Sequence, residues 1–389
     1  MTSHERVSRL LSGAAIDQVP VEDLPWDDTV LAWTAQGYPL RRTWREKGES
    51  TWRPSDGRWV SAERSEWRDE PVPPWEHFDW DMALIWLSFD KLPLVGVSEL
   101  IEETSEWEVR RNGAGAALKY WKHHNGTPEH IDFRMTSREV WERDYRPLLE
   151  RFDPSRLDVA KTRKELEAGK ARGAWTFYGD LFVWELARGS MGDIALYESV
   201  LQDPDWILDY NRVYTDFYKR YFTYLFEMAG VPSGIWLYED LGYRNGLFVR
   251  PEVLGELYFP FYREIVDFFH ARDLPVVLHS CGSVPQALPM IVEAGFDGLN
   301  PMERKAVGNE PFEFAERYGD HIAFVGGLDA RILETNDLAL IRREVSSYME
   351  GMKARRARFV FGTDHSISPR VKYQSYRTAL EVYRQCRPY

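Results

Sequence analysis

The sequence predicts an α/β protein built as a (β/α)8 barrel. Eight short β-prone runs follow one another along its 389 residues. The later runs are separated by stretches with helical periodicity, which is the pattern of a parallel sheet wrapped by helices. Most runs are continuously apolar, as strands buried on both faces must be. Acidic, histidine and cysteine residues gather just beyond the C-terminal ends of these runs, the rim where barrels carry their chemistry.

The predicted strands are 19–24, 83–87, 174–178, 235–238, 276–279, 298–300, 322–325 and 359–361. Between the fourth and fifth lies Pro251 to Ala271. Its apolar positions Leu254, Leu257, Tyr258, Phe261, Ile265 and Phe268 fall close to a 3.6-residue stripe. Helices are also expected over 285–294 and 338–354. The segment from about 90 to 150 breaks the alternation. Within it, 105–114 and 117–121 read as an antiparallel hairpin turning at Asn112-Gly113. This is expected to be an N-terminal excursion near the ligand-binding end. Barrel and excursion together should form a single domain over residues 1–389.

Composition narrows the function. With 44% hydrophobic and 29% charged residues the chain reads as a soluble globular protein. A net charge of −13 argues against general nucleic-acid binding, which needs a basic face. No apolar run is long enough to span a bilayer. The opening Met1-Thr2-Ser3-His4-Glu5-Arg6 is not a signal-peptide pattern, and two cysteines are not a disulfide framework. A cytoplasmic location is the expectation. Nine of the sixteen tryptophans lie between Trp26 and Trp86. They read as packing of a long N-terminal excursion or, more sharply, as a wall for a flat ligand.

The candidate site centres on Leu278-His279-Ser280-Cys281-Gly282. Strand side chains repeat with period two, so His279 and Cys281 point the same way. An imidazole and a thiol converging at a strand end make half of a zinc site. Other strand ends supply Glu22 and Asp23, Asp180 beside Tyr178, Glu239 and Asp240, Asn300 and Glu303, Asp329, and Asp364 with His365. Zinc accepts N, S and O donors in a tetrahedron, which favours His279, Cys281, Glu303 and one of Asp364 and His365, with His365 preferred. Asp240, Asp364 and Glu239 are the catalytic candidates. Asp180, Tyr178, Asn300 and Asp329 are the substrate-binding ones. His365 beside Asp364 also reads as a metal-free acid or base. His123 and His124, beside Asn125-Gly126, read as solvated loop residues.

These residues carry a resemblance. The segment 278–282, then Gly295-Phe296-Asp297-Gly298-Leu299-Asn300-Pro301-Met302-Glu303, then Gly326-Gly327-Leu328-Asp329, resembles the uroporphyrinogen decarboxylase superfamily. It is most similar to the branch of zinc-using, cobalamin-dependent methyltransferases. Residues 6–21 resemble the family's opening, and Gly362-Thr363-Asp364-His365-Ser366 its last strand end. The resemblance implies a zinc-dependent methyltransferase that moves a methyl group between a small substrate (a thiol, pterin or methoxy compound) and a corrinoid on a separate partner protein. The chain has no Asp-x-His-x-x-Gly segment that could ligate cobalt itself. Those methyltransferases supply a second cysteine at the last strand end, where this chain has Thr363-Asp364-His365. The alternative is a metal-free carboxy-lyase of the decarboxylase type, with Asp240 or His365 as acid. The decarboxylase's Arg-rich N-terminal motif is replaced here by the acidic Val21-Glu22-Asp23-Leu24.

Overall fold

The computed structural model describes residues 1–55, 57–122 and 127–389. The loop holding His123, His124, Asn125 and Gly126 lies outside the described residues. Its centre is a curled sheet of seven parallel strands: β1 (Met82–Trp86), β2 (Trp175–Leu181), β3 (Gly234–Tyr238), β4 (Val276–His279), β5 (Gly298–Asn300), β6 (Ala323–Val325) and β7 (Phe359–Val360). The strands are neighbours in chain order from β1 to β7. Each matches a predicted run to within a few residues.

The eighth predicted strand, 19–24, does not form a ladder. It meets the sheet through single bridges, with Val21 parallel to Phe361. The Glu22 amide donates to the Phe361 carbonyl at 3.0 Å, and the Asp81 amide donates to the Val21 carbonyl at 2.9 Å. The segment therefore bonds toward both edge strands without pairing fully with either. Pro20 lies within it and Pro25 follows it, and each lacks the N–H a ladder needs. The observed sheet has seven strands, not the expected eight.

Side-chain parity divides the sheet into two layers. Met82, Trp175, Phe177, Trp236, Val277, Val325 and Val360 face inward and form one apolar cluster. Val7, Leu10 and Leu11 of the helix Ser3–Leu11 pack against them and close the floor of the sheet. That helix starts with a capping box, in which Thr2 and Glu5 satisfy each other's backbone amides. Arg6 anchors it to Asp81 at 2.5 Å and to Asp17 at 2.8 Å. The intervening residues Tyr178, Ile235, Leu237, Leu278 and Leu299 face outward, into the larger core under the helices.

The predicted helix 251–271 is two helices, Pro251–Leu257 and Phe259–His270, meeting at Tyr258. Pro260 is the reason. It has no N–H to donate, and its ring crowds the carbonyl four residues back. Helix 338–354 forms as expected, and 285–294 is helical over Leu288–Glu293.

The excursion is a four-stranded antiparallel sheet of Ser98–Glu103, Trp107–Asn112, Ala117–Trp121 and Glu129–Asp132. The expected hairpin is its centre. The Asn112 side chain caps the turn, accepting from the Ala114 and Ala116 amides at 3.0 and 3.1 Å. Gly115, not Gly113, takes the left-handed conformation, at φ +81°. Two further antiparallel pairs precede β1, joining Leu40–Arg45 to Glu66–Pro71 and Ser50–Arg53 to Arg58–Ser61. Among the described residues no helix is long and apolar enough to cross a membrane.

Candidate metal site and its cavity

A cavity of about 350 Å³ opens at the C-terminal end of the sheet. Its wall includes Asp240, His279, Cys281, Asn300 and His365. Three of these converge. One ligand atom each from Asp240, His279 and Cys281 lies within 4.8 Å of the others. Parity explains the convergence: Trp236, Tyr238 and Asp240 step up the inner side of β3, and Val277, His279 and Cys281 up that of β4.

The local bonds hold this triad in place. Cys281 Sγ lies 3.3 Å from His279 Nε2. Asp240 Oδ1 accepts the Cys281 amide at 2.8 Å and sits 3.8 Å from His279 Nε2. The turn after Cys281 requires glycine. Gly282 has φ +79°, and a Cβ there would lie 2.4 Å from the Gly242 backbone.

Asn300 fixes the histidine tautomer. Its Nδ2 donates to the Val325 carbonyl at 3.0 Å, so its Oδ1 is the atom that faces His279 Nδ1, at 2.6 Å. A carbonyl oxygen cannot donate, so Nδ1 carries the proton. Nε2 then presents its lone pair toward Cys281 and Asp240. A second hydrogen bond that orients a ligating imidazole is the usual support of a metal site. Burial lowers the His279 pKa, which keeps the ring neutral and able to ligate. Burial, and next the carboxylates of Asp240 and Glu303, push the Cys281 thiol well above its ordinary value. A thiol in that setting is a poor nucleophile alone, and a bound cation is what stabilises its thiolate. The N, S and O donor set, the fixed tautomer and the open cavity side together fit a zinc ion with one position free. Asn300→Ala should weaken metal binding about 10–100-fold with little loss of fold. Competition against a chromogenic chelator measures this.

Several sequence candidates stand elsewhere. Glu303 is not in the cluster; its Oε2 accepts the Gly282 amide at 2.6 Å and its Oε1 pairs with Lys305 at 3.0 Å. It braces the turn that carries Cys281. His365 lines the cavity but does not join the three converging ligand atoms. Asp364 is buried and turned to the loops, accepting from the Arg304 and Ala330 amides at 2.8 Å each. Asp329 caps the helix Ala330–Glu334 and pairs with Arg331 at 2.6 Å.

Tyr178, Asp180 and Glu239 have the outward parity, so none of them lines the cavity. Tyr178 is fully buried in the outer core and donates to the Gly230 carbonyl at 2.8 Å. Asp180 bonds to Lys91 and to its neighbour Leu181's amide. Glu239, expected to be catalytic, caps the helix Val183–Gln202 instead. Its carboxylate accepts the amides of Phe182 and Trp184 at 2.8 Å, that of Glu185 at 3.2 Å, and the Tyr262 hydroxyl at 2.5 Å. Four acceptances use all the lone pairs a carboxylate has. Asn300, expected to touch substrate, orients His279 from the cavity wall.

The acidic strand end, a candidate for the rim from the sequence, joins the cavity. Glu22 and Asp23 are on its wall. Burial and mutual repulsion push Glu22 up to about 8, and burial pushes Asp23 up to about 6. Thr363 donates its hydroxyl to Asp23 at 2.5 Å. No Lys or Arg lines this cavity among the described residues.

The uroporphyrinogen decarboxylase (URO-D) family model matches residues 192–386, half of the chain, and the chain belongs to that family. The match contains Asp240, His279, Cys281 and His365. A methyltransferase from Methanosarcina mazei shares the fold, with a TM-score of 0.65 and 16% identity over 99% of each chain. An amidohydrolase structure aligns over 43% of this chain and 42% of its own at 17% identity, with a TM-score of 0.28. No curated protein matches the chain in sequence.

Proposed function

We propose that this chain is a zinc-dependent methyltransferase, moving a methyl group between a small substrate and a corrinoid held by a separate partner protein. The observation that carries the reading is the Asp240–His279–Cys281 triad, with its tautomer set by Asn300, on the wall of an open cavity. That the fold is shared with a methyltransferase from Methanosarcina mazei supports the reaction class. Asp240, His279 and Cys281 would hold the zinc. When bound, the ion supplies Lewis acidity, which favours the thiolate of a thiol acceptor or polarises the oxygen of a methoxy donor.

The chain's own residues do the rest. Asn300 keeps the His279 lone pair on the metal side. Glu303 and Asp240 hold the Cys281 turn. His365, on the cavity wall outside the triad, would take the proton of a bound acceptor as the methyl passes to it, the electron pair of the broken donor–methyl bond staying with the donor. The aromatic wall around Trp86 and Tyr238 presents flat apolar surface to a small substrate. The carboxy-lyase alternative has less support, because a carboxylate substrate would meet Glu22 and Asp23 in this cavity and no Lys or Arg among its described residues.

The test is methyl exchange with methylcobalamin, a soluble stand-in for the partner's corrinoid. A small thiol, a reduced pterin and a methoxyaromatic compound are the three candidate co-substrates. Zinc-loaded protein should change the corrinoid spectrum with one of them, and Cys281→Ser should not. A zinc-loaded protein inert with all three, while releasing CO2 from a carboxylate substrate, contradicts the reading. His365→Ala should keep its zinc and lose about a hundredfold in turnover, the usual size of a lost proton transfer. Loss of the zinc instead would return His365 to the ligand set.

A further inference from the structure

A second cavity, of about 250 Å³, adjoins the metal-site cavity and shares Glu22, Asp23, Leu24, Trp86 and Tyr238 with it. Its wall is aromatic. Trp52, Trp59, Trp75 and Trp80 join Trp86 and Tyr238 around it. Trp52 and Trp59 sit edge to face with ring centroids 5.5 Å apart, and Trp86 stacks on Tyr238 at 5.6 Å. All five tryptophans precede residue 192, outside the region matched by the family.

The same wall is acidic. It contains Glu22, Asp23 and Asp27, and no Lys, Arg or His among the described residues. Asp23 is only 5% exposed; its Oδ1 accepts the Thr363 hydroxyl at 2.5 Å and the Leu24 amide at 3.1 Å, and the Tyr376 hydroxyl stands beside the same carboxyl. Acidic side chains buried in an aromatic wall with no basic partner are costly and call for an explanation. Packing alone does not supply one, since an apolar side chain would fill the space at lower cost. A neutral flat ligand would explain the rings but not the acids. A metal ion would explain the acids but not the rings. One class of ligand uses both. A methylated ammonium head group is attracted to aromatic faces through their quadrupole, and it neutralises a carboxylate beside them.

We infer that the aromatic cavity bounded by Trp52, Trp80, Trp86 and Tyr238, with Glu22 and Asp23 at its junction with the metal-site cavity, binds an N-methylated ammonium ligand. This goes beyond the reading above, whose thiol, pterin and methoxy co-substrates carry no quaternary nitrogen, by adding a methylated ammonium as a further candidate methyl donor. It rests on that reading for the ligand's role as methyl donor, and not for its binding. The burial that raises Glu22 and Asp23 holds them protonated part of the time in the free protein; a cation between them draws both toward carboxylates.

The experiment is equilibrium binding by isothermal titration calorimetry to the whole protein, without corrinoid and without turnover. The probes are choline and its neutral isostere 3,3-dimethylbutan-1-ol. Choline should bind at least tenfold more tightly than the alcohol. Glu22→Gln and Asp23→Asn should each reduce that ratio while leaving weak binding of the alcohol unchanged. These variants keep shape and polarity, and a native thermal transition checks their fold. Equal binding of the two probes, no binding of choline, or a ratio indifferent to both substitutions overturns the inference. Zinc content and methyl exchange are separate readouts. An inactive protein that discriminates choline keeps the inference and sinks the methyltransferase reading; an active protein that does not discriminate does the reverse.

Discussion

Replacing Cys281 with serine will lower zinc affinity by about two to three orders of magnitude. Four-ligand zinc sites gain roughly 10–16 kcal/mol, so one thiolate carries a large share. Serine keeps the size of the side chain and the backbone amide that donates to Asp240 at 2.8 Å. It does not ionise at neutral pH, so the charged donor is lost while the turn is retained. His279→Ala should act as strongly, since the Nε2 lone pair 3.3 Å from Cys281 Sγ disappears. Chelator competition on folded variants reads both. Less than a tenfold change for Cys281→Ser would remove the thiolate from the site.

The second large effect is on stability. Glu239→Ala should destabilise the protein by about 4 kcal/mol, with bound zinc retained by the fraction that folds. The substitution strands the amides of Phe182, Trp184 and Glu185 and the Tyr262 hydroxyl, all in the buried outer layer. A shift in urea midpoint at unchanged slope measures the effect. If Glu239 were instead a substrate-facing acid, turnover would fall and the midpoint would stay.

The contrast between Glu239 and Asp240 shows what could be read in advance. The strand 235–238 was legible from its apolar run, and so was its rim. Which of two adjacent carboxylates faces inward is a question of parity, and composition does not answer it. One inner reference settles it: Tyr238 and Asp240 share the parity of Trp236, which packs in the inner cluster. The same rule moves Tyr178 and Asp180 outward with Thr176.

Loop residues obey no such rule. Glu303 was placed one barrel step beyond Cys281, yet the direction of its side chain depends on the turn at Gly282, whose amide it accepts. Asp364 and Asp329 sit in loops that fold onto helix starts, and a short acid at such a place caps amides as readily as it meets a ligand. Asn300 was found by its position at a strand end. Its partner, His279, becomes visible only when β4 and β5 lie side by side with these two residues in register. The closure between β7 and β1 failed as a ladder because Pro20 interrupts the short segment and Pro25 ends it, a local signal present in the sequence.

The measurement that bears most directly on the central claim is the electronic spectrum of the cobalt(II)-loaded protein. Cobalt occupies zinc sites and reports a bound thiolate by an intense sulfur-to-metal charge-transfer band. A metal held by the Cys281 thiolate gives that band at one cobalt per chain, loses it in Cys281→Ser and keeps it in Cys386→Ser. A cobalt complex without the band, or a band carried by Cys386, contradicts a metal centre built on Asp240, His279 and Cys281.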